Sequence, residues 1–351
     1  MTNKRITIRD IAKEAGVSIG TVDRVLHDRG EVAAATRSKI LELAEELNYK
    51  PNAFARALTS RKTYNIAVLL PAADTEDIYW AGHLAGIRAQ AQALEEYGLK
   101  VSITHFALNC ETDFTAQTEK IIDEQPDGVI FAPILKKESQ LFANQLDALD
   151  IPYLFIDTYI DDTNCVGFVG EDAFQSGRVA ASIIDFGLQP DRDILMVNIA
   201  KDIENTQHLN TRNQGFLSYF MDEGRNTGMR ISIEIPTTNA QTVNDKLQKI
   251  LDSNPNIGAI WVSGAKAYII ARYLELANRR DIILVGYEVY ENNTEYLRRN
   301  FIKYLIAQQP AGQGAKTIQT MYNFLTEHTR PMKLEYQKVE IVNSENVRFF
   351  V

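Results

Sequence analysis

Apolar residues recur at helical spacing at the start of the chain, where they predict three short helices. The first helix has its apolar side at Ile8, Ile11, Ala12 and Ala15, the second at Val22, Val25 and Leu26, and the third at Ile40, Leu43, Ala44 and Leu47. Gly16 can take the left-handed conformation that ends a helix, and Ser18 is a good N-cap for the next one. Two short helices joined across a glycine are typical of a helix-turn-helix, whose second helix enters the major groove of DNA.

From residue 64 onward, short apolar segments alternate with amphipathic ones. The apolar segments predict strands at Asn65–Pro71, Lys100–Phe106, Gly128–Pro133, Pro152–Asp157, Asp193–Ile199, Arg230–Ile235, Ala259–Val262 and Ile282–Gly286. The amphipathic segments predict helices at Tyr79–Tyr97, Thr112–Glu124, Lys137–Leu149, Gln214–Glu223, 240–253, Ala267–Asn278 and Gln313–His328. This rhythm is typical of parallel sheets covered by helices on both faces.

The alternation of strands and helices restarts at Asp193. The chain after the three N-terminal helices therefore contains two successive α/β units. We therefore expect an α/β protein: an all-α helix-turn-helix headpiece followed by two doubly wound lobes. The headpiece is predicted at 1–62, with a hinge helix at about 51–60, and the two-lobed domain at 63–351. Sheets of this kind bind ligands at the carboxyl ends of their strands, here in the cleft between the lobes.

Charge is distributed unevenly along the chain. Residues 1–62 carry 12 Lys and Arg against 8 Asp and Glu, whereas the remaining 289 residues carry 25 against 38. A basic head on an acidic body predicts a DNA contact confined to the head, because attraction to phosphates needs local rather than overall positive charge.

The stretch Thr7–Leu58 resembles the DNA-binding headpiece of the lactose-repressor and galactose-repressor family of bacterial transcription regulators. The resemblance includes the helix-turn-helix, the third helix, the turn Tyr49-Lys-Pro-Asn52 and a hinge helix ending in Leu58. It implies a homodimer on a pseudo-palindromic double-stranded operator, and we expect a repressor. The C-terminal segment Val339–Val351 has no leucine heptads, so we expect a dimer rather than a tetramer.

The resemblance assigns DNA contacts to nine positions. They are Thr7, Ser18, Ile19, Gly20, Thr21, Arg24, Tyr49, Asn52 and Leu58. Arg24 can reach guanine with its two-pronged donor, Thr21 lies at a phosphate-contacting position, and Leu58 is the wedge in the minor groove. Asp23 departs from the family pattern, and it either accepts from a cytosine amino group or pairs with Arg24 or Arg29.

The body, residues 65–330, resembles the sugar-binding domains of this family and the periplasmic ribose-type binding proteins of type I. The motifs that carry the resemblance include Arg212-Asn-Gln-Gly-Phe216, Val285-Gly-Tyr-Glu288 and Ile306-Ala-Gln308-Gln-Pro310. The resemblance implies a ligand-binding set of Tyr79, Trp80, Asp157, Thr158, Arg212, Ser263, Glu288 and Gln308. The polar members supply the donors and acceptors that a polyol needs, and Tyr79 and Trp80 stack on the ring.

The ligand-binding set departs from the family pattern at three places. Thr158 replaces an arginine after the strand-end Asp157, Ser263-Gly264 replaces an Asn-Asp pair, and Glu288 replaces the commoner aspartate. We therefore expect a sugar or sugar derivative that is larger than a standard pentose or differently charged, and a purine-type corepressor is the alternative. Plainer interpretations place Trp80 in a core, Arg212 in a surface salt bridge and Glu288 in a solvated loop.

Other chemistry finds little support in the sequence. The five histidines are scattered and Cys110 and Cys165 are expected to be free thiols, so we expect no metal site and no cofactor. No G-x-S-x-G motif occurs, so we expect no enzyme; a sugar-acting enzyme remains the rival, and it would leave the headpiece without a purpose. The polar N-terminus and the absence of a long apolar run predict a cytoplasmic protein with no membrane partner.

Overall fold

A computed structural model of the chain describes residues 6–26, 30, 32–47, 62–72, 79–108, 110–199 and 207–350. The chain forms two compact units, Met1–Ser60 and Arg61–Val351. The first unit contains helices α1 (Ile8–Ala15), α2 (Ile19–Leu26) and α3 (Ala34–Glu46), which meet in a small apolar core around Ile11, Val22 and Ile40. The predicted helix-turn-helix and third helix are therefore confirmed. The predicted hinge helix at 51–60 lies outside the described residues.

The second unit contains two six-stranded sheets. Its strands are β1 (Tyr64–Pro71), β2 (Leu99–Phe106), β3 (Gly128–Phe131), β4 (Tyr153–Asp157), β5 (Gly167–Gly170), β6 (Asp193–Ile199), β7 (Arg230–Ile235), β8 (Ile257–Val262), β9 (Ile283–Tyr287), β10 (Tyr304–Ala307), β11 (Leu334–Tyr336) and β12 (Glu340–Val342). Its helices are α4 (Tyr79–Glu95), α5 (Glu111–Asp123), α6 (Lys136–Ala148), α7 (Ala173–Gly187), α8 (Gln207–Asp222), α9 (Ala240–Ser253), α10 (Ala267–Leu276), α11 (Glu291–Arg298) and α12 (Pro310–Glu327). A short 3₁₀ helix follows at Val347–Phe349.

The two sheets repeat one topology. The first lobe has the order β11-β5-β4-β3-β1-β2 and the second the order β12-β10-β9-β8-β6-β7. β12 pairs antiparallel with β10, and the other strand pairs of the described residues are parallel. Because the orders match position by position, β4 corresponds to β9 and β5 corresponds to β10.

Helices cover both faces of each sheet. The central strands are buried almost continuously, as in β3 and β8, because each face packs against a helix layer. The first lobe has one apolar cluster on each side of its sheet, and the second lobe has two clusters as well. The α/β class and the two doubly wound lobes predicted from the sequence are confirmed. None of the described helices is both long and apolar enough to span a bilayer.

The chain passes between the lobes at three places. It leaves the first lobe after β5 to form α7, returns after β10 to form α12, and passes from β11 to β12 near its end. Glu171 follows β5 and Gln308 follows β10, so these two residues begin the first two crossings at corresponding positions of the two lobes. Both crossings start at the carboxyl end of a strand, which is where parallel sheets place their ligand sites.

Several elements differ from the sequence-based expectation. The strands β5 and β10 and the helices α7 and α11 had not been assigned from the apolar pattern, and α8 begins at Gln207 rather than at Gln214. The alternating C-terminal segment forms only the short strand β12 before the 3₁₀ helix.

Candidate functional site

The two helices of the helix-turn-helix have local caps. The Asp10 carboxylate accepts hydrogen bonds from the backbone N–H of Thr7 (2.8 Å) and from its hydroxyl (2.7 Å). Gly16 ends α1 with a φ of 71°, in the left-handed region, as the sequence predicts. The Ser18 hydroxyl accepts from the backbone N–H of Thr21 (3.1 Å), so Ser18 is the predicted N-cap of α2. These caps determine where α2 begins and therefore which of its residues face outward.

The outer side of α2 carries the residues that the sequence assigns to base contacts. Ile19 is 44% exposed, and Gly20 and Arg24 are exposed as well. Thr21 is half-buried, with its hydroxyl 2.9 Å from that of Ser18. Three further assigned residues lie outside the described residues: Tyr49, Asn52 and Leu58. The exposed side of α2 combines an aliphatic and a guanidinium side chain, which are the types that contact thymine methyl groups and guanine edges.

In the two-lobed unit, two carboxylates lie at corresponding strand ends. Asp157 ends β4 in the first lobe, and Glu288 directly follows β9 in the second. Both have a left-handed backbone, with φ values of 68° and 69°. A residue other than glycine takes this conformation at a cost, and such positions cluster at ligand sites. The internal symmetry of the fold thus brings one acid from each lobe to the cleft edge of its sheet.

Arg212 on α8 connects both crossings. Its guanidinium donates to Glu171 Oε2 from Nε (3.1 Å) and from a terminal nitrogen, to Gln308 Oε1 (2.6 Å) and to the backbone carbonyl of Ser263 (2.8 Å). It also lies over the Tyr287 ring, 4.1 Å from the centroid. The residue is 3% exposed, so the alternative interpretation of Arg212 as a surface salt-bridge partner is wrong.

Gln308 joins the remaining polar residues to this arginine. Its Nε2 donates to Glu288 Oε1 (2.5 Å), while its Oε1 also accepts from the Tyr79 hydroxyl (3.3 Å). The Tyr79 hydroxyl donates to Asp157 Oδ1 as well, and the Thr158 hydroxyl donates to Asp157 Oδ2 (3.0 Å). Glu288 is 2% exposed and therefore not a solvated loop acid. One continuous hydrogen-bond network thus contains side chains from both lobes.

Two of the assigned residues contribute differently from the expectation. Trp80 is 5% exposed and belongs to the apolar cluster of the first lobe, with its ring 5.3 Å from that of Tyr79 and 5.0 Å from that of His83. Ser263 offers its backbone carbonyl to Arg212, while its hydroxyl donates to Asn198 Oδ1 (2.5 Å). Trp80 therefore supports Tyr79 from the core side, and Ser263 acts in the network through its main chain.

Sequence reasoning missed Glu171 as a member of the site. It directly precedes Asp172, which caps α7 by accepting from the backbone N–H of Gln175 (2.9 Å). Glu171 itself is 7% exposed and pairs with Arg212. The signal that could have found it is the internal repeat, because Glu171 occupies after β5 the position that Gln308 occupies after β10.

Burial controls the protonation of the site. It raises the pKa of Glu288 to about 8, although Arg212 opposes the shift, and it raises the pKa of Glu171 against the same opposing charge. Burial would lower the pKa of Arg212, but the adjacent Glu171 raises it above the usual arginine value, so Arg212 stays charged. Burial lowers the pKa of His208 to about 4 and also lowers the pKa of His83. Both imidazoles are therefore neutral at physiological pH.

No three His, Cys, Asp or Glu side chains within the described ranges come together in a way that could hold a metal ion. Cys110 and Cys165 are free thiols, as expected. The side chains of the site offer acceptors on the carboxyl groups, and donors on a guanidinium, an amide and two hydroxyls. This combination suits a polyol, whose hydroxyl groups both donate and accept.

Residues 66–329 match the family model described as periplasmic binding protein domain, which covers more than half of the chain. The chain therefore belongs to the proteins that carry this domain. Residues 7–52 match the model for bacterial regulatory proteins of the lacI family. The chain thus combines a lacI-family DNA-binding domain with a periplasmic-binding-protein domain, and the two domain families expected from the sequence are confirmed.

Known proteins resemble different parts of the chain. Catabolite control protein A of Staphylococcus aureus is 35% identical over 129 residues, which is 36% of each chain. The chain therefore spans 36% of the length of this curated relative. A candidate LacI transcriptional regulator from Bacteroides fragilis has a similar structure, with a TM-score of 0.76 and 28% identity over 82% of this chain and 100% of that one. GanP, a glucose-galactose binding protein from Geobacillus stearothermophilus, shares the fold with a TM-score of 0.69 and 19% identity over 81% and 98%.

Proposed function

We propose that the protein is a sequence-specific DNA-binding transcription regulator, and a repressor, whose operator binding is controlled by a sugar or sugar derivative. The headpiece, residues 1–62, binds the operator, and the two-lobed domain, residues 63–351, binds the ligand and forms a homodimer. The observation that carries the proposal is the buried network of Arg212. It unites carboxylate, amide and hydroxyl groups from both lobes in a chain whose first helices form a helix-turn-helix.

The network supplies a physical route from ligand to lobes. Arg212 bonds to Glu171 and Gln308, the residues at which the chain first crosses between the lobes and then returns. A sugar in the cleft exchanges these protein hydrogen bonds for bonds to its hydroxyl groups. The ligand makes different hydrogen bonds in each arrangement of the lobes and therefore binds one arrangement more tightly. Ligand binding thus shifts the equilibrium between the arrangements. A coupling of about 1–3 kcal/mol to DNA binding would be typical.

The DNA contacts follow from the exposed side of α2. Ile19, Gly20 and Arg24 face outward and are proposed to contact base edges, and Thr21 is proposed to contact a phosphate. Thr7 and Ser18, which cap α1 and α2, add contacts from the helix starts. Tyr49, Asn52 and Leu58 complete the proposed contact set.

The test begins with the operator. Duplexes bound by the full-length protein are selected from a random pool, and the affinity for the selected site is measured by fluorescence anisotropy. The measurement is repeated with neutral sugars, amino sugars, sugar phosphates and purine bases. We expect at least one sugar to change the operator affinity. A response to purine bases alone would establish the purine-type alternative, and operator binding insensitive to every ligand class would contradict ligand control.

Base reading is tested by Arg24→Ala. We expect a loss of roughly 1–3 kcal/mol of specific binding and a relaxed preference at one base pair per half-site, because the guanidinium can bond to a guanine edge. Lys13→Ala is the matched control, since it removes one exposed positive charge from α1 instead of α2. An Arg24→Ala protein that discriminates operator from random DNA as well as the Lys13→Ala protein would remove Arg24 from the base-reading set.

A further inference from the structure

The described residues of the site contain more carboxyl groups than cationic groups. Three carboxyl groups, Asp157, Glu171 and Glu288, share the network with one guanidinium, that of Arg212. Arg212 bonds to Glu171, but Asp157 and Glu288 receive their hydrogen bonds from neutral groups: hydroxyls for Asp157 and an amide for Glu288. Among the described residues, therefore, neither of these two carboxyl groups is paired with a cation.

The histidines near the site do not supply the missing charge. His83 packs against Tyr79 and accepts or donates at Gln313 (3.2 Å), and His208 lies one turn before Arg212 on α8. Burial lowers the pKa of both imidazoles, and the nearby Arg212 lowers that of His208 further. Both rings are thus neutral at physiological pH, and the excess of carboxyl groups among the described residues stands.

A second observation points to a missing donor. Oε1 of Glu171 is buried and has no donor at full hydrogen-bonding geometry among the described residues, although the nearby Ser176 hydroxyl lowers the pKa of this carboxyl group; Oε2 accepts twice from Arg212. Glu171 is 7% exposed, so bulk water does not replace the missing donor. A buried acceptor without a donor is costly, and a donor group on a ligand in the cleft is one partner that can satisfy it.

We propose that the ligand of this cleft is an amino sugar, a polyol that carries a protonated amine. This inference rests on the proposed sugar response and names the class of sugar. A buried ammonium group is stable only when carboxylates and hydrogen-bond acceptors surround it, and the site offers both. A phosphorylated or acidic sugar would bring a further negative charge to carboxyl groups that already lack a cation. The hydroxyl groups of the ring bond to Arg212, Gln308 and Tyr79.

Binding of an amino sugar should release the proton of Glu288. Glu288 faces the positive Arg212 and the negative Glu171, with Tyr79 and the Gln308 amide nearby, and burial holds its pKa at about 8. In the free protein a proton therefore neutralises Glu288 at neutral pH. An ammonium group favours the ionised carboxylate, so an amino sugar displaces this proton into solution. The affinity should rise with pH up to the Glu288 pKa as long as the amine stays protonated. A neutral sugar should displace no proton.

The experiment is isothermal titration calorimetry of the full chain with matched sugars. Glucosamine, galactosamine and mannosamine are compared with glucose, galactose and mannose, with the N-acetylated amines, which keep the shape and lose the charge, and with glucose 6-phosphate. Titrations at mildly acidic pH in two buffers of different ionisation enthalpy count the protons released. We expect one amino sugar to bind at least about tenfold more tightly than its neutral and N-acetylated counterparts, because charge-assisted hydrogen bonds are the stronger kind. We also expect that sugar to release protons.

Variants assign the preference to the carboxyl groups. Glu288→Gln and Asp157→Asn should each reduce the ratio of amino-sugar to neutral-sugar affinity, and Glu288→Gln should also abolish the proton release. Glu119→Gln on the exposed side of α5 is the matched control and should leave both unchanged. If one site variant fails to fold, the proton count on the unmodified protein decides the question together with the other variant.

The outcomes separate this inference from the proposed function. Tight binding of neutral or phosphorylated sugars without any advantage for the amine would overturn the inference and leave sugar control intact. An amine preference that is unchanged in both site variants would also overturn it. Operator binding that responds to no sugar of any charge would overturn the sugar-controlled function, and the inference with it.

Discussion

At the scale of single residues, the role of Arg212 in the hydrogen-bond network depends on the shape of its side chain. The planar guanidinium serves three separate acceptors, on Glu171, Gln308 and Ser263, and also stacks on an aromatic ring. A lysine ammonium carries a similar charge but cannot offer this fixed set of donors. The geometry therefore demands arginine and not merely a positive charge, and the cost of losing it is concentrated in the buried carboxylate of Glu171.

Arg212→Ala should destabilise the protein and abolish its response to ligand. Removing one partner of a buried ion pair typically costs about 3–5 kcal/mol, because the remaining charge is left without compensation. Urea denaturation of the full chain measures this loss, and operator binding with and without ligand measures the response. The double variant Glu171→Gln with Arg212→Met removes both charges of the pair. It should therefore recover part of the stability that Arg212→Ala loses, but not the response to ligand. If Arg212→Ala bound ligand with unchanged affinity, Arg212 would not belong to the ligand site.

Tyr79 and Trp80 should separate affinity from stability. Tyr79→Phe removes only the hydroxyl that bonds to Asp157 and Gln308, so we expect weaker ligand binding with a small change in stability. Trp80→Ala opens a cavity in the core of the first lobe and should cost about 3–5 kcal/mol. Calorimetric titration and thermal unfolding of the two variants test this split. The opposite pattern, with a stability loss only for Tyr79→Phe, would contradict the arrangement of the two rings.

A sequence motif marked those candidate ligand residues that the structure brings together, and their role in ligand binding stays a prediction. Arg212, Glu288 and Gln308 were found in this way, and the structure places them in one network. Glu171 was missed because a polar residue beside a helix cap looks like a surface residue in the sequence. Its burial depends on the crossing between the lobes, which no local pattern reveals.

At the scale of elements, each crossing leads into a helix that packs closely on a helix bearing a site residue. Gln308 leads into α12, which crosses α4 with Tyr79 at its start, and Glu171 leads into α7, which crosses α8 with Arg212. The contact between α12 and α4 is so close that a Cβ atom at Gly314 would overlap the carbonyl oxygen of His83. The helix axes approach only because glycine lacks that atom.

Gly314→Ala should therefore destabilise the first lobe and weaken ligand binding. Forcing a methyl group into this contact typically costs about 1–3 kcal/mol and moves Tyr79 away from Gln308. Gly312→Ala on the same helix is the matched control. A Cβ atom there would lie at an ordinary distance of 3.5 Å from Gln309 Oε1, so we expect a change below about 1 kcal/mol. Equal unfolding free energies for the two variants would show that the helix contact tolerates the methyl group.

The elements that the apolar pattern missed or misplaced have separate physical causes. α7 buries Ser176, Gly177, Ala180 and Ala181, and such small residues give a weak periodic signal although the helix packs tightly. The sequence pattern placed the start of α8 too late. Its first turns are polar, and Arg212 is buried by hydrogen bonds rather than by apolar contact, so neither gives an apolar signal. β5 has four residues, of which two are glycines, so its apolar signal is weak.

At the scale of the whole molecule, the two lobes are repeats that share one site. Asp157 and Glu288 correspond to each other, and so do Glu171 and Gln308, so the repeat supplies two pairs of groups at matching strand ends. Arg212 breaks this symmetry, since it lies in the second lobe and bonds to both crossings. Among the described residues Arg212 thus couples the two halves, and we propose that a ligand changes the relation between them through this residue.

Control of DNA binding requires that this change reach the headpiece through the segment between them. The hinge, residues 51–60, is rich in alanine but too short to be stable as an isolated helix in water. We propose that it becomes helical only when the dimer places two copies on an operator.

The segment Ser60-Arg-Lys-Thr-Tyr64 should then be cut readily by trypsin in the free protein and be protected on the operator. Cleavage is followed by mass spectrometry at saturating operator, with random DNA as the control, and sedimentation measures the dimer. Equal cleavage rates on operator and random DNA would argue against a hinge that folds on its site, and a stable tetramer would contradict the dimer.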